Sequence, residues 1–197
     1  MIKNFPYIIN KDGIAIYYGP IISDELLHTL YDDLLNKIAW EQEQIVMFGK
    51  NITTKRKVAF YADKNMEYTY ANKTKKGLPW NNVLIALKKI IETYTNTTYN
   101  ACLLNLYHNG NEGMGWHSDD EKEIIPNSSI ASFSVGAERK FSFKHKLSKE
   151  TVSVILENGS LLEMVEKIQE NWWHSLPKSK KITSPRINLT FRQMIAI

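Results

Sequence analysis

Three stretches of this 197-residue chain combine residue types and spacings that could do chemistry. Arg186, Asn188, Thr190 and Arg192 alternate with Ile187, Leu189 and Phe191. Residues i and i+2 of a strand share a face, so this spacing predicts two arginines and two hydrogen-bonding side chains on one side and an apolar surface on the other. A guanidinium meets a carboxylate through two parallel N–H···O bonds, which makes such a face an anion site. Asn105 and Tyr107 share a face in the same way, on an otherwise apolar stretch. His117 and Asp119 form a further i, i+2 pair, just after a turn containing Gly110, Gly113 and Gly115.

A His-x-Asp pair with a distant histidine is the ligand set of the 2-His-1-carboxylate triad, which holds Fe(II) on one octahedral face and leaves the other positions open. A bidentate 2-oxo acid and dioxygen would take those positions. His174, within Trp172-Trp173-His174-Ser175, is the best third ligand. His-x-Asp alone recurs by chance; the arginine strand that follows His174 is what gives it weight. The other histidines read more plainly. His28 sits on an amphipathic helix, His108 in a loop, and His145 in a basic turn within reach of phosphate. Cys102, the single cysteine, has no activating neighbour in sequence and reads as a small core residue.

These residues need a scaffold. The length fits one domain over residues 1–197, and 43% hydrophobic content is enough for a core. One cysteine excludes an internal disulfide and suits a reducing compartment. No apolar run reaches the ~18 residues of a membrane span or resembles a signal peptide. The expectation is a soluble, unsecreted monomer, cytoplasmic in a bacterium or nuclear in a eukaryote, with no membrane partner. Net charge is +4 and the pI about 9.0. The basic residues gather at Lys55-Arg56-Lys57, Lys73/Lys75/Lys76, Arg139-Lys140, Lys144-His145-Lys146 and Lys178/Lys180/Lys181, with aromatics between, which suits a polyanion partner.

Ile14–Tyr18 reads as a strand. Ser23 reads as an N-cap before a helix whose inward residues run from Leu26 to Ile38, and a second helix spans about Asn82–Tyr94 with Leu84, Leu87, Ile90 and Ile91 inward. Between them, Glu41–Gly77 is polar, basic and aromatic without a clear period; we expect short hairpins there, forming a lid. From Tyr99 onward the period is two. Candidate strands are Asn100–Tyr107, Ile130–Gly136, Lys140–Phe143, Thr151–Leu156, Ser160–Met164, a piece near Trp172–Ser175, and Arg186–Met194. Helices first and short strands after fit an α+β protein: a double-stranded β-helix, or jelly roll, buttressed by N-terminal helices.

At this point the chain resembles the AlkB family of Fe(II)/2-oxoglutarate-dependent dioxygenases. The resemblance rests on Asn105-Leu-Tyr107 and Trp116-His117-Ser-Asp119-Asp120-Glu121, then on Ser129–Gly136 and Phe141–Lys146. It continues through Gly159–Leu162 and Trp173–Pro177 to Pro185-Arg186-Ile-Asn188-Leu-Thr190-Phe-Arg192. It implies that His117, Asp119 and His174 bind Fe(II), and that Asn105, Tyr107, Arg186, Asn188, Thr190 and Arg192 bind 2-oxoglutarate, with dioxygen as the second cosubstrate. It also implies oxidative removal of alkyl groups from N-alkylated DNA bases such as 1-methyladenine or 3-methylcytosine, releasing formaldehyde, succinate and carbon dioxide. A dioxygenase of RNA or of protein is the alternative. A damage-binding module with a defunct metal site predicts a missing ligand, and none is missing here.

Upstream, Val46–Lys50, Arg56, Tyr68-Thr-Tyr70 and Pro79-Trp80 resemble the nucleotide-recognition lid of the family members that act on double-stranded DNA. The resemblance implies a lid at about 41–77 and a catalytic jelly roll at about 99–197. Phe48 would wedge into the base stack, beside Gly49 and Lys50. Tyr70 and His117 would sandwich the base, Tyr68 and Glu121 would contact its polar edge, and Arg56 would pair with Asp120. Lys144, His145, Lys146, Lys178 and Lys180 would meet the DNA backbone.

Overall fold

The computed structural model describes residues 6–47, 50–64, 66–70 and 73–195, with side chains throughout except at 43–47, 50–52, 68–70 and 73. The first half of the chain runs β1 (Tyr7–Ile9), β2 (Ile14–Pro20), α1 (Asp24–Lys37), β3 (Glu41–Met47), β4 (Lys50–Ala62), β5 (Glu67–Tyr70), β6 (Lys73–Lys76) and α2 (Asn82–Thr95). The second half runs β7 (Ala101–Tyr107), β8 (Met114–His117), β9 (Ile130–Gly136), β10 (Arg139–His145), β11 (Thr151–Leu156), β12 (Ser160–Val165), α3 (Ile168–Asn171), β13 (Trp172–Leu176) and β14 (Arg186–Arg192).

The strands form a large sheet ordered β1-β2-β12-β9-β14-β7-β4-β3, a small sheet ordered β11-β10-β13-β8, and the β5-β6 hairpin. All the pairings between named strands are antiparallel. Two apolar clusters flank the large sheet. On one face Leu104, Phe133, Leu189 and Phe191 meet Leu27 and Leu34 of α1 and Leu84, Leu87 and Ile91 of α2. On the other, Phe60, Ile130, Leu162 and Met164 meet Phe141, Phe143, Trp172 and Leu176 of the small sheet. The result is a jelly roll backed by helices, as the sequence predicts.

Local chemistry explains the helix ends. Asn81 caps α2, its side chain accepting the Leu84 N–H at 2.9 Å. The helix stops at Asn96, whose left-handed φ of 50° suits asparagine. Ser23 precedes α1 in an extended conformation but makes no side-chain cap bond; its carbonyl accepts from Leu26 and Leu27 instead. Leu26 and Ile90, expected inward, are exposed, because the buried stripes run through Leu27 and Leu34 and through Leu84, Leu87 and Ile91.

The 41–77 segment departs from its expected outline. It contains the β3–β4 and β5–β6 hairpins, but β4 has 13 residues and its second half, Lys57–Ala62, pairs with β7 inside the large sheet. Those residues belong to the body of the fold. Gly110 ties the loop before β8 to the loop before β14: its N–H donates to Ile182 O at 2.8 Å, and a Cβ there would overlap the Ser179 carbonyl.

Candidate active site

β14 lies between β7 and β9 at the centre of the large sheet, and every one of its residues is buried. Its apolar residues Ile187, Leu189 and Phe191 face the helices. Arg186, Asn188, Thr190 and Arg192 face the space between the sheets, where they line one pocket with Asn105 and Tyr107 of β7. Removing one apolar member, as in Phe191→Ala, costs about 3–5 kcal/mol, so the helix side fixes the register that aims the polar side.

The metal end is built by the small sheet. β13 and β8 pair His174 directly with His117, and the imidazole centroids lie 4.2 Å apart. Asp119 follows just beyond the end of β8. Its Oδ1 lies 3.7 Å from Nε2 of each histidine, and the three ligand atoms fall within 4.8 Å of one another. His117 Nδ1 sits 2.9 Å from the Gly115 carbonyl. A carbonyl only accepts, so Nδ1 carries the proton and Nε2 presents its lone pair toward Asp119.

Electrostatics set the protonation states. Burial drives the His117 pKa down to about 4, His174 adds to the effect, and Asp119 opposes it, so the ring is neutral at neutral pH. Burial alone would raise the Asp119 pKa, but Arg192 and the two imidazoles hold it well below the usual carboxylate range. Arg192 Nη2 donates to Asp119 Oδ2 at 2.7 Å. Deprotonated ligands are what a divalent metal requires. The donor set, two imidazole nitrogens and one carboxylate oxygen, fits Fe(II).

At the other end Arg186 is 2% exposed. Its Nη2 donates to Ser134 Oγ at 2.9 Å and to Asn188 Oδ1 at 2.7 Å. Asn188 also accepts from Ser132 Oγ at 2.9 Å and donates to Thr190 Oγ1 at 2.8 Å. Burial lowers the Arg186 pKa to about 10, with Tyr107 opposing and Arg139 adding, so the guanidinium is charged at neutral pH. Arg186 Nε is buried without a hydrogen-bond partner, and so is Asn105 Oδ1. Among the described residues no carboxylate pairs with Arg186. A buried cation that lacks a counter-charge costs several kcal/mol, and a carboxylate ligand would offset that cost. This end fits the acid group of 2-oxoglutarate.

Other expected site residues divide. Arg56 and Glu121 line the same pocket. Asp120 is exposed and lines the adjoining cavity with Lys146 and Gln169. Lys178 and Lys180 are exposed. Tyr68 and Tyr70 lie on β5 and Lys50 begins β4, though their side chains are not among those described; Phe48 and Gly49 lie outside the described residues. His145 corrects the expectation. It is 5% exposed, its ring stands edge-on to Trp172, Nδ1 accepts the Ser148 N–H at 3.0 Å, and Nε2 lies 3.3 Å from Asp12, so it faces no phosphate. Lys146 Nζ donates to the Gln169 carbonyl at 2.7 Å. Arg139, read as part of a basic surface, is buried and binds the carbonyls of Glu112 and Pro177, both at 2.9 Å.

Three further residues belong to the site. Ser132 and Ser134 alternate with Phe133 and Val135 on β9, the same signal that marks β14. Gln169, in α3, has no such signal; its Oε1 accepts the Asp119 N–H at 3.0 Å and so holds the ligand loop.

A three-donor metal face beside a buried arginine strand, held between the sheets of a jelly roll, defines an Fe(II)- and 2-oxo-acid-dependent oxygenase. Residues 14–192 match the 2OG-Fe(II) oxygenase superfamily. The chain is 39% identical over 198 residues to mouse DNA oxidative demethylase ALKBH2, a match covering 95% of this chain and 83% of that protein. It is 35% identical over 209 residues to human alpha-ketoglutarate-dependent dioxygenase alkB homolog 3, covering 95% and 72%. A solved structure of OsALKBH1 superposes with a TM-score of 0.64 at 14% identity, covering 95% of this chain and all of that one, which is a likeness of fold. The chain belongs to the AlkB family of 2OG-Fe(II) oxygenases, whose cofactors are Fe(II), 2-oxoglutarate and dioxygen. No helix among the described residues is long and apolar enough to cross a membrane.

Proposed function

We propose that this enzyme removes alkyl groups from N-alkylated bases of DNA, the reaction named for its ALKBH2 relatives. The observation that carries the reading is the buried Arg186, with an unsatisfied Nε, in one pocket with His117, Asp119 and His174. In this reading Arg186 pairs with the far carboxylate of 2-oxoglutarate, while Asn105, Tyr107, Asn188, Thr190 and Arg192 hold the rest of it. Fe(II) and 2-oxoglutarate, when bound, supply oxidation of an N-alkyl carbon by dioxygen, yielding succinate, carbon dioxide and, from a methyl group, formaldehyde.

The chain's own residues do the positioning. Arg192 and Gln169 hold Asp119 in place. Phe141 stacks on His174, with centroids 5.4 Å apart, and together with Leu176 and Met164 it shields that ligand from water. Arg56 and Glu121 stand in the same pocket to meet the polar edge of a base, with Asp120 beside them. The β3–β4 and β5–β6 hairpins act as the lid: Tyr68 touches the base edge, Tyr70 and His117 sandwich the ring, and Phe48, with Gly49 and Lys50, fills the slot left by the flipped base. A base must leave the stack to reach a buried metal, at a cost of a few kcal/mol. Lys144, Lys178 and Lys180 meet phosphates, and the enzyme acts as a monomer.

Formaldehyde release from one methylated sequence, offered as single-stranded DNA, duplex DNA and RNA, tests this. Release from DNA that requires both Fe(II) and 2-oxoglutarate is the expected result. Release from RNA alone, or from none of the three, overturns the assignment.

A further inference from the structure

We infer that the outer face of the small sheet is a second contact surface for the substrate, on which unpaired nucleotides of single-stranded DNA stack as the strand leaves the site. This rests on the DNA reading above and extends it to a surface outside the pocket.

The metal ligands His117 and His174 point between the sheets. The residue before each, Trp116 and Trp173, therefore points the other way. Trp116 is 47% exposed and Trp173 partly so. Lys144 Nζ stands 5.9 Å above the Trp116 ring, and Lys149 Nζ stands 5.0 Å above the Trp173 ring. Lys144 also lies directly across from Trp173 in the β10–β13 register. The exposed outward positions of β10 and β11 continue this surface with Lys140, Thr151, Ser153 and Ile155, and none of them is acidic. Glu150, in the intervening turn, lies 4.0 Å from Lys11. Two flat indoles, each with a lysine ammonium over its ring, bring together the two groups a nucleotide needs, a π surface for the base and a cation that can turn to the phosphate.

The face is continuous with the site. β8 is the edge strand of the small sheet. The His117 side chain is 29% exposed, so it stands at the pocket mouth, one residue from Trp116. A strand leaving the mouth across that edge meets Trp116 first. Trp173 and Lys144 come next, on strands roughly 5 Å apart.

The probe is unmodified oligothymidylate longer than the ~4–16 nucleotides that a single-strand groove covers. Its affinity is measured by fluorescence anisotropy for the wild type, Trp116→Ala, Trp173→Ala, the double variant, and the charge reversal Lys144→Glu/Lys149→Glu. The double variant should bind about thirtyfold more weakly or worse, as expected for two lost stacks, and the charge reversal should also weaken binding. On a methylated substrate, the double variant should lower the preference for a long strand over a trinucleotide carrying the same base. Unchanged oligothymidylate affinity in both double variants overturns the proposal, and would leave the face to a protein partner or to solvent. An equal loss on the long strand and the trinucleotide also overturns it. Binding of unmodified DNA needs no turnover. Failure of the dealkylation reading would therefore show as absent formaldehyde, while failure of this surface would show as unaltered anisotropy.

Discussion

The two ends of the active site are built by different rules. The anion end is a single surface: four alternate residues of one seven-residue strand, buried in the middle of a sheet, with Asn105, Ser132 and Ser134 contributed by its direct neighbours. The metal end is assembled across a join, from the last residue of a four-residue edge strand, a loop residue, and a residue of β13. A central strand is held by two ladders and by the apolar side chains on its other face. Asp119 itself, in a loop, is held by two side chains, Arg192 and Gln169. The anion end should therefore tolerate changes in its surroundings, whereas the metal end should depend on individual contacts.

The largest effect should come from the ligands. His117→Ala, His174→Ala and Asp119→Asn should each lower formaldehyde release by roughly a thousandfold or more, since a catalytic metal supplies several kcal/mol of stabilisation. Circular dichroism should be unchanged in the histidine variants. Wild-type turnover in any of the three would remove that residue from the triad.

The next effect separates the two ends. Arg186→Lys keeps the charge but loses the fork, so 2-oxoglutarate affinity should fall about 10–100-fold while Mn(II) affinity holds. Arg192→Lys should weaken both, because Arg192 belongs to the anion strand and also bonds Asp119. Calorimetry with each ligand measures this, and equal behaviour of the two variants would break the comparison. Gln169→Leu should act on the metal end alone, lowering Mn(II) affinity about tenfold, as expected when an outer partner of a ligand is lost; a matching loss for 2-oxoglutarate would mean general damage. The smallest change should be Ser134→Ala. It removes one neutral acceptor from Arg186, a net effect of about 1 kcal/mol or roughly fivefold in 2-oxoglutarate affinity.

The same contrast explains what could be read from the sequence. β14 is legible because its two faces differ in chemistry and alternate strictly, and the periodicity also gives its orientation. The triad is legible only through residue types and order, and β8 is not legible as a strand because four residues around Gly115 carry no period. The second half of β4, which falls inside the expected lid of short hairpins, is illegible for the opposite reason. Val58–Ala62 is buried on both sides of the sheet, so the run is uniformly apolar or small and has no alternation to mark it. Clustering in sequence puts His145 and Arg139 on a surface, whereas burial with specific partners decides where each sits. Gln169 could not have been found from its neighbours, since its partner lies 50 residues away.

Arg192 has one further consequence. By engaging Asp119 Oδ2, it leaves only Oδ1 facing the two imidazoles. The carboxylate can therefore give a metal one oxygen rather than grip it with both, and the protein's contribution stops at three donor atoms. A six-coordinate ion would keep three positions for exchangeable ligands, the number needed by a chelating 2-oxo acid and one diatomic gas. In that sense an arginine that touches no metal fixes the denticity of the site, and with it how many small molecules the site can hold at once.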